Sequence, residues 1–209
     1  VDLRRPDGER VALADPDVIR VGDTWYLYGT SSGEGFEVWS STDLTTWTYG
    51  GLAWSKQSGA WYGDTTLLWA PEVFAAADGS FWLYYTASQR IGVAKASDPL
   101  GPFVDQLDHP LVGNGYGGVG DGELSGGSAL LDDLDDKAID AEFFVASDGS
   151  SYLYFSQTTP FSELAVLPMA DAVTPAAAAP TVVLGCEGNL ETLEWWVREG
   201  PVVIERAGT

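Results

Sequence analysis

The sequence predicts an all-β fold, a β-propeller of which this chain supplies about three blades and the first strand of a fourth. Three observations support this prediction. A unit of apolar strand, turn and aromatic strand recurs along the chain, and no helical periodicity separates its copies. Aromatic residues make up 12% of the 209 residues, whereas Lys and Arg together number only 10, a composition typical of β proteins.

The repeated unit has three full copies, at residues 15–28, 70–85 and 140–155, and a fourth copy begins at Glu199. In each full copy an apolar run leads through a turn to a strand rich in Tyr, Trp and Phe. The turns are Gly22-Asp23, Asp78-Gly79 and Asp148-Gly149. Asp-Gly between two strand-like runs strongly favours a β-hairpin, and Gly-Asp is a further hairpin signal. A β-hairpin is therefore predicted in each full copy.

A further alternating run and a bounded tail follow each aromatic strand, which completes a four-stranded unit of the kind that forms a propeller blade. We expect one incomplete catalytic domain over residues 1–209, with blade I at about 10–50, blade II at about 64–107, blade III at about 137–184 and the start of blade IV at about 195–209. A β-sandwich is the alternative architecture, but it has no reason to repeat this order so faithfully. Because the fourth hairpin stops after its turn, we expect residues beyond Thr209, in the same or a second chain, to complete the propeller.

The formal net charge of −21 bears on the choice of partner. So acidic a chain lacks the basic surface that phosphate contacts require, which argues against nucleic acid and anionic membranes as partners. A neutral sugar is compatible with this charge. No apolar run reaches the roughly 18 residues of a membrane-spanning helix. The single cysteine, Cys186, has no partner for an internal disulfide and is interpreted as structural, which leaves the compartment open.

Acidic residues recur at one position of the repeat. Aligned on Val18, Val73, Phe143 and Val202, the positions three residues earlier are Asp15, Ala70, Asp140 and Glu199. The first strand of every propeller blade lies innermost, so these positions are expected to face one another around the channel. A second acidic column, at Asp17, Glu72, Glu142 and Pro201, is interpreted mainly as turn-making or chance recurrence.

At these same residues the chain resembles glycoside hydrolase family 43, whose members share a five-bladed propeller and three acids. The resemblance is carried by five segments in the family's order: Ala14-Asp-Pro-Asp-Val-Ile19, Ser41-Thr-Asp-Leu-Thr-Thr-Trp47, Trp69-Ala-Pro-Glu-Val73, Ile139-Asp-Ala141 and Arg198-Glu-Gly-Pro201. The resemblance implies that Asp15 is the general base, Glu199 the general acid, and Asp140 the residue that modulates the pKa of Glu199.

A sugar site also needs a flat apolar wall, and aromatic side chains commonly provide one. Trp69, directly before Ala70, and Phe36 are the candidates for substrate binding. Core packing is the alternative for both, since the chain has nine tryptophans and most of them must be structural.

No cofactor is required by this chemistry, and we predict no metal ligand in the chain. The resemblance allows a structural calcium ion in the channel, held in the family by a histidine from a later blade. The one histidine, His109, does not match that position and is predicted to lie in a loop.

These observations predict a glycosidase that acts on an oligosaccharide or polysaccharide, with inversion, of the α-L-arabinofuranosidase, β-xylosidase or arabinanase kind. Galactofuranose-containing glycans belong to the same range of substrates. The alternatives are a catalytically inactive carbohydrate-binding propeller, a protein-interaction propeller, and a retaining propeller hydrolase, whose two main acids would lie only about 5–5.5 Å apart.

Overall fold

The computed structural model describes residues 2–113, 137–157, 163–176, 180–185 and 198–206, and every regular element among them is a β-strand. The first sheet contains β1 Ala14–Val21, β2 Thr24–Thr30, β3 Gly35–Ser41 and β4 Thr48–Ser55. The second contains β5 Leu68–Ala75, β6 Phe81–Ala87, β7 Arg90–Ala96 and β8 Val104–Asp105. The third contains β9 Ala138–Val145, β10 Ser151–Gln157, β11 Glu163–Met169 and β12 Thr181–Leu184.

In each sheet consecutive strands are antiparallel neighbours, so the chain forms three successive four-stranded meanders. This confirms the predicted all-β class and the four-stranded repeat. The fourth strand of the first sheet continues to Ser55, beyond the boundary expected near residue 50. Cys186 and the parts of the expected fourth blade at 195–197 and 207–209 lie outside the described residues.

The first hairpin of each sheet forms at the predicted turn. Between β1 and β2 the turn consists of the two residues Gly22 and Asp23. The equivalent turn of the second sheet is longer, at residues 76–80; its Gly79 amide donates to the Ala76 carbonyl, and Gly79 has a φ of 84°. Glycine supplies this left-handed conformation without a steric penalty, which explains why Asp-Gly marks the turn. Gly149 repeats both features in the third sheet.

The three sheets pack face to face through two apolar clusters. Between the first and second sheets, Phe36 and Trp54 pack near Tyr85, with ring centroids 5.7 and 4.5 Å from the Tyr85 ring. Between the second and third sheets, Tyr84 stacks on Phe143 at 5.1 Å. The first strands β1, β5 and β9 are neighbours in this order, as in consecutive blades of a propeller.

Among the described residues, no helix has the length and apolar character needed to cross a membrane.

Candidate active site

All three first strands contain the same β-bulge. In β1 the pairing with β2 passes from Ala14↔Thr30 to Asp17↔Tyr28, so two residues of β1 stand opposite one residue of β2. The same shift occurs in β5 between Trp69 and Glu72, and in β9 between Ile139 and Glu142. Asp15, Ala70 and Asp140 therefore occupy one structural position, as the sequence alignment predicts.

The first residue of each bulge has a left-handed backbone, with φ values of 47° at Asp15, 43° at Ala70 and 55° at Asp140. This conformation costs a residue with a side chain roughly 1–2 kcal/mol. Bulges of this kind re-aim side chains and are common beside active sites. Because Ala70 has the same conformation without a carboxylate, the bulge belongs to the repeat, and Asp15 and Asp140 are placed by it.

The second acidic column joins neighbouring sheets. The Val73 amide of β5 donates to Asp17 Oδ2 at 2.9 Å, and the Phe143 amide of β9 donates to Glu72 Oε2 at 3.4 Å. The interpretation of this column as turn-making or chance recurrence is thus wrong for Asp17 and Glu72, since each accepts a hydrogen bond from the first strand of the next sheet.

The positive φ of Gly200 corrects the alignment of the fourth copy, because Asp15, Ala70 and Asp140 have a positive φ at the equivalent position. Val203, not Val202, then corresponds to Val73 and Phe143, each three residues after the bulge residue. Gly200, with a φ of 61° and followed by Pro201, then takes the bulge position. Glu199 lies one residue before the bulge, in the position that Trp69 occupies in β5.

The carboxylates of the second column have raised pKa values. Burial raises the pKa of Asp17 to about 6 and that of Glu142 to about 7, the latter with a contribution from the charge of Asp17. Burial also raises the pKa of Glu72 well above its usual range, and the charges of Asp17 and Glu142 add to this effect. These three side chains therefore lie close enough to disfavour one another's ionisation.

The raised pKa values predict a pH-dependent stability. A carboxyl group whose pKa is higher in the folded than in the unfolded state stabilises the fold when protonated, and this stabilisation is lost as the pH rises through the folded value. We expect the urea midpoint to fall between pH 5 and pH 8, by an amount that corresponds to on the order of 1–2 kcal/mol per carboxyl group after solvent screening.

Asp17→Asn combined with Glu142→Gln is the control for this measurement, since the amides keep an acceptor oxygen but do not titrate. The double variant should show a smaller decrease than the unaltered protein. A midpoint that is equal or higher at pH 8 would contradict the assignment.

A hydroxyl group fixes Asp15. Thr30 Oγ1 donates to Asp15 Oδ2 at 2.6 Å and accepts from the Ala70 amide at 2.8 Å. Thr86, the equivalent residue of β6, accepts from the Asp140 amide at 3.1 Å. Sequence reasoning missed Thr30, although a hydroxyl residue recurs two positions after a tyrosine in all three second strands, as Thr30, Thr86 and Ser156.

Asp140 is fixed directly by the following segment, since the Gly200 amide donates to its Oδ2 at 3.1 Å. Burial raises the pKa of Asp140 to about 6, and the charges of Glu199 and Asp15 raise it as well. A Coulomb effect of this kind requires proximity, so the structure brings the three predicted acids together. Asp15 and Glu199 are exposed, whereas Asp140 is partly buried.

The two aromatic candidates differ. Trp69 is partly exposed and directly precedes the bulge of β5, which leaves ring surface for a ligand. Phe36 is fully buried, at 0% exposure, and packs 5.4 Å from the Trp54 ring. The structure contradicts the prediction that Phe36 lines the substrate site, because the ring lies in the core between the first two sheets.

His109 lies outside the strands, between β8 and β9, with its Nε2 3.9 Å from Asp108 Oδ1. Among the described residues, no three His, Cys, Asp or Glu side chains are grouped so that they could hold one metal ion. The calcium ion that the resemblance allows stays a prediction, because the histidine that would hold it belongs to a later blade.

The fold and the site define a β-propeller with a carboxylate centre on its innermost strands. Residues 10–209 match the profile of glycosyl hydrolases family 43, so the chain belongs to that family. A crystal structure of an endo-1,4-β-xylanase from Bacteroides thetaiotaomicron superimposes with a TM-score of 0.74 at 30% identity, over 95% of this chain and 61% of that one. A thermostable family-43 glycoside hydrolase gives 0.71 at 27% identity, over 95% and 62%.

Relatives of known activity match a smaller part of their own sequences. A β-D-galactofuranosidase of Aspergillus niger is 30% identical over 159 residues, which cover 68% of this chain and 42% of that protein. An extracellular exo-α-(1→5)-L-arabinofuranosidase of Cellvibrio japonicus is 32% identical over 108 residues, which cover 49% and 29%. The chain thus spans less than half the length of either relative.

Proposed function

We propose that the protein containing this chain hydrolyses glycosidic bonds by a single displacement with inversion, using Asp15 as general base, Glu199 as general acid and Asp140 as the residue that modulates the acid. Two observations carry the proposal. Asp15 and Asp140 occupy equivalent bulges on two first strands. The Gly200 amide, next to Glu199, donates to Asp140 Oδ2 at 3.1 Å. Two solvent-accessible carboxyl groups and a third, partly buried one provide an acid, a base and a charge that couples the two.

Asp15 is the better base of the two exposed acids. Thr30 holds one carboxylate oxygen, Oδ2, through a 2.6 Å hydrogen bond. The other oxygen can accept a proton from a water molecule on one side of the sugar. The bound Thr30 is itself fixed by the Ala70 amide, so the base needs little reorganisation during the reaction.

Glu199 is assigned as the acid. In the order of the chain and of the blades, Asp140 comes after Asp15 and before Glu199. An inverting hydrolase places its acid and base about 6.5–9.5 Å apart so that water fits between base and sugar. Residues on the first strand of blade I and at the start of blade IV suit such a gap better than residues on adjacent blades. Protonation of the leaving oxygen by Glu199 then accompanies attack by the water that Asp15 activates.

Asp140 acts on the proposed acid through its charge and through its position. When ionised, it places a negative charge close to the segment that carries the acid, and the charge of Glu199 in turn raises the pKa of Asp140. Its hydrogen bond from the Gly200 amide ties it to the residue next to Glu199. Asp140 thus acts on the acid both electrostatically and by holding the backbone beside it.

Arabinose- or xylose-containing glycans, or galactofuranosides, are the proposed substrates. The range is supported by the activities of two relatives, a galactofuranosidase and an arabinofuranosidase, and by the similarity to the xylanase structure. Trp69 is the proposed wall for the apolar face of the sugar.

The test is sugar release from aryl α-L-arabinofuranoside, β-D-xyloside and β-D-galactofuranoside by the full-length protein. We expect hydrolysis of at least one substrate, and Trp69→Ala should raise its KM more than it lowers kcat. Absence of release from all three, together with sugar binding, would favour a carbohydrate-binding propeller without catalysis.

A further inference from the structure

A hydroxyl residue of the second strand stands beside the bulge in all three sheets. In each sheet it pairs with the residue that directly precedes the bulge on the first strand. The three pairs are Thr30↔Ala14, Thr86↔Trp69 and Ser156↔Ile139. The hydroxyl residue therefore belongs to the repeat, as the bulge does, and its contacts can be compared from blade to blade.

Thr30 and Thr86 share one of these contacts and differ in another. Each accepts a hydrogen bond from the bulge residue of the next sheet, Thr30 from the Ala70 amide at 2.8 Å and Thr86 from the Asp140 amide at 3.1 Å. Thr30 Oγ1 also donates to Asp15 Oδ2 at 2.6 Å. The bulge beside Thr86 has Ala70 in place of an acid, so its own sheet offers no carboxylate there.

The third sheet holds its bulge carboxylate without a hydroxyl group. Asp140 Oδ2 accepts directly from the Gly200 amide at 3.1 Å. The Ser156 hydroxyl is buried and has no hydrogen-bond partner among the described residues. Within the part of the chain that the structure describes, the repeated hydroxyl thus binds a bulge carboxylate only in the first sheet, which carries the proposed base.

Asp15 depends on this bond for its orientation. Its side chain is exposed, so packing does not fix the two torsion angles that direct the carboxylate. The bond from Thr30 restrains one oxygen and leaves the other, Oδ1, for a water molecule. Since Thr30 is anchored in turn to the Ala70 amide, the carboxylate is held relative to the strand on which Trp69 lies.

We propose that Thr30 is a positioning residue for the proposed general base: it holds Asp15 Oδ2 and, through the Ala70 amide, sets the base relative to Trp69, the proposed sugar wall. The inference rests on the proposed function. Thr30 itself does not touch the reacting atoms; it acts through Asp15.

The first test compares Thr30→Val with Thr30→Ser. Valine has nearly the shape of threonine but can neither donate nor accept, whereas serine keeps the hydroxyl group. We expect Thr30→Val to lower kcat roughly ten- to a hundredfold with KM changed by less than about threefold, because a misdirected base slows the chemical step. Thr30→Ser should restore most of kcat. Equal losses in both variants would overturn the proposal, since the hydroxyl group would then not matter.

Thr86→Val is the matched control for the contact between blades. It makes the same chemical change at the equivalent position and removes the same kind of bond from an amide of the next sheet. The substrate is a glycoside with a 2,4-dinitrophenyl leaving group, which departs without protonation and therefore depends on the base alone. Thr30→Val should lower kcat on it at least fivefold more than Thr86→Val does, as expected from roughly tenfold or greater effects of a misplaced catalytic group. Equal losses would show that a loosened contact between blades explains both, and would contradict the proposal.

A second background separates positioning of the base from general support of the site. In Asp15→Gly the bulge is preserved, because glycine readily adopts the φ of 47°. Added azide can then attack the anomeric carbon itself: its nitrogen forms a bond to this carbon while the bond to dinitrophenolate breaks, and no base is needed. The effect of Thr30→Val on the rate of glycosyl azide formation should disappear in this background, since no carboxylate remains to be positioned. A persisting loss of tenfold or more, on the order of the effect in the unaltered background, would overturn the proposal.

Amide hydrogen exchange provides a readout that needs no activity. The peptide containing Ala70 should exchange faster in Thr30→Val and unchanged in Thr86→Val, which should instead affect the peptide containing Asp140. Unaltered exchange at Ala70 in Thr30→Val would show that Thr30 does not tie the base to the second sheet. If the unaltered protein hydrolyses no glycoside, the proposed function fails, whereas the exchange result still decides whether the contact exists.

Discussion

Asp15→Asn is expected to abolish hydrolysis of every glycoside, with kcat lowered by roughly 10³-fold or more on activated and unactivated substrates alike. The amide cannot take a proton from water, and a better leaving group does not replace a missing base. The Thr30 hydroxyl can still donate to the amide oxygen, so the fold of the bulge should be preserved. The measurement is kcat on two substrates of the same sugar: a 2,4-dinitrophenyl glycoside, whose leaving group departs without protonation, and an unactivated disaccharide. The circular dichroism spectra of the unaltered protein and of Asp15→Asn show whether the fold is preserved.

Asp23→Asn is the control for this experiment. Asp23 lies in the turn at the far end of β1 and its side chain is fully exposed, so the same chemical change there should leave kcat within about twofold. Substantial turnover of the dinitrophenyl glycoside by Asp15→Asn would show that another group activates the water.

Glu199→Gln is expected to lower kcat much more on the disaccharide than on the dinitrophenyl glycoside. On the disaccharide kcat should fall by roughly 10³-fold, because the leaving oxygen is no longer protonated. On the dinitrophenyl glycoside the loss should stay within roughly tenfold, since this leaving group departs as a stable anion. The ratio of the two kcat values therefore reports the task of Glu199.

Glu205→Gln, six residues further along the same segment, is the control for Glu199→Gln. It retains an acceptor oxygen for Ser147 and should leave the ratio of the two kcat values unchanged. If Glu199→Gln is equally inactive on both substrates while its fold and binding persist, Glu199 is not the general acid.

Much of the fold follows from local sequence signals. The hairpins form where Gly22-Asp23, Asp78-Gly79 and Asp148-Gly149 predict them, because glycine at a positive φ satisfies the geometry of the turn. The alternation of apolar residues identifies the first strands, and their repeated order predicts that they are neighbours. These features depend on a few adjacent residues, which a single sequence contains in full.

The error in the fourth copy has a different origin. Val202 and Val203 are both apolar, so alternation alone gives no reason to prefer one of them as the buried residue. The choice depends on which residue takes the positive φ of the bulge, and this residue is Gly200. That is a property of the folded structure.

Phe36 and Thr30 illustrate the same limit for side chains. An aromatic residue predicts a flat apolar surface, but only its burial shows whether that surface meets a ligand or Trp54. A threonine at the end of a strand is common, and its function depends on Asp15 and the Ala70 amide, which are distant in sequence. Contacts across blades therefore determine what local patterns leave open.

The central claim is that water activated by Asp15 attacks the sugar from the face opposite to a leaving group protonated by Glu199. It is tested most directly by the ¹H NMR spectrum of the sugar first released from the aryl glycoside panel, recorded before the product mutarotates. The account predicts that the first anomer to accumulate has the configuration opposite to that of the substrate. Initial release of the anomer with the substrate's own configuration would contradict it, and would indicate a covalent intermediate on one of the carboxylates.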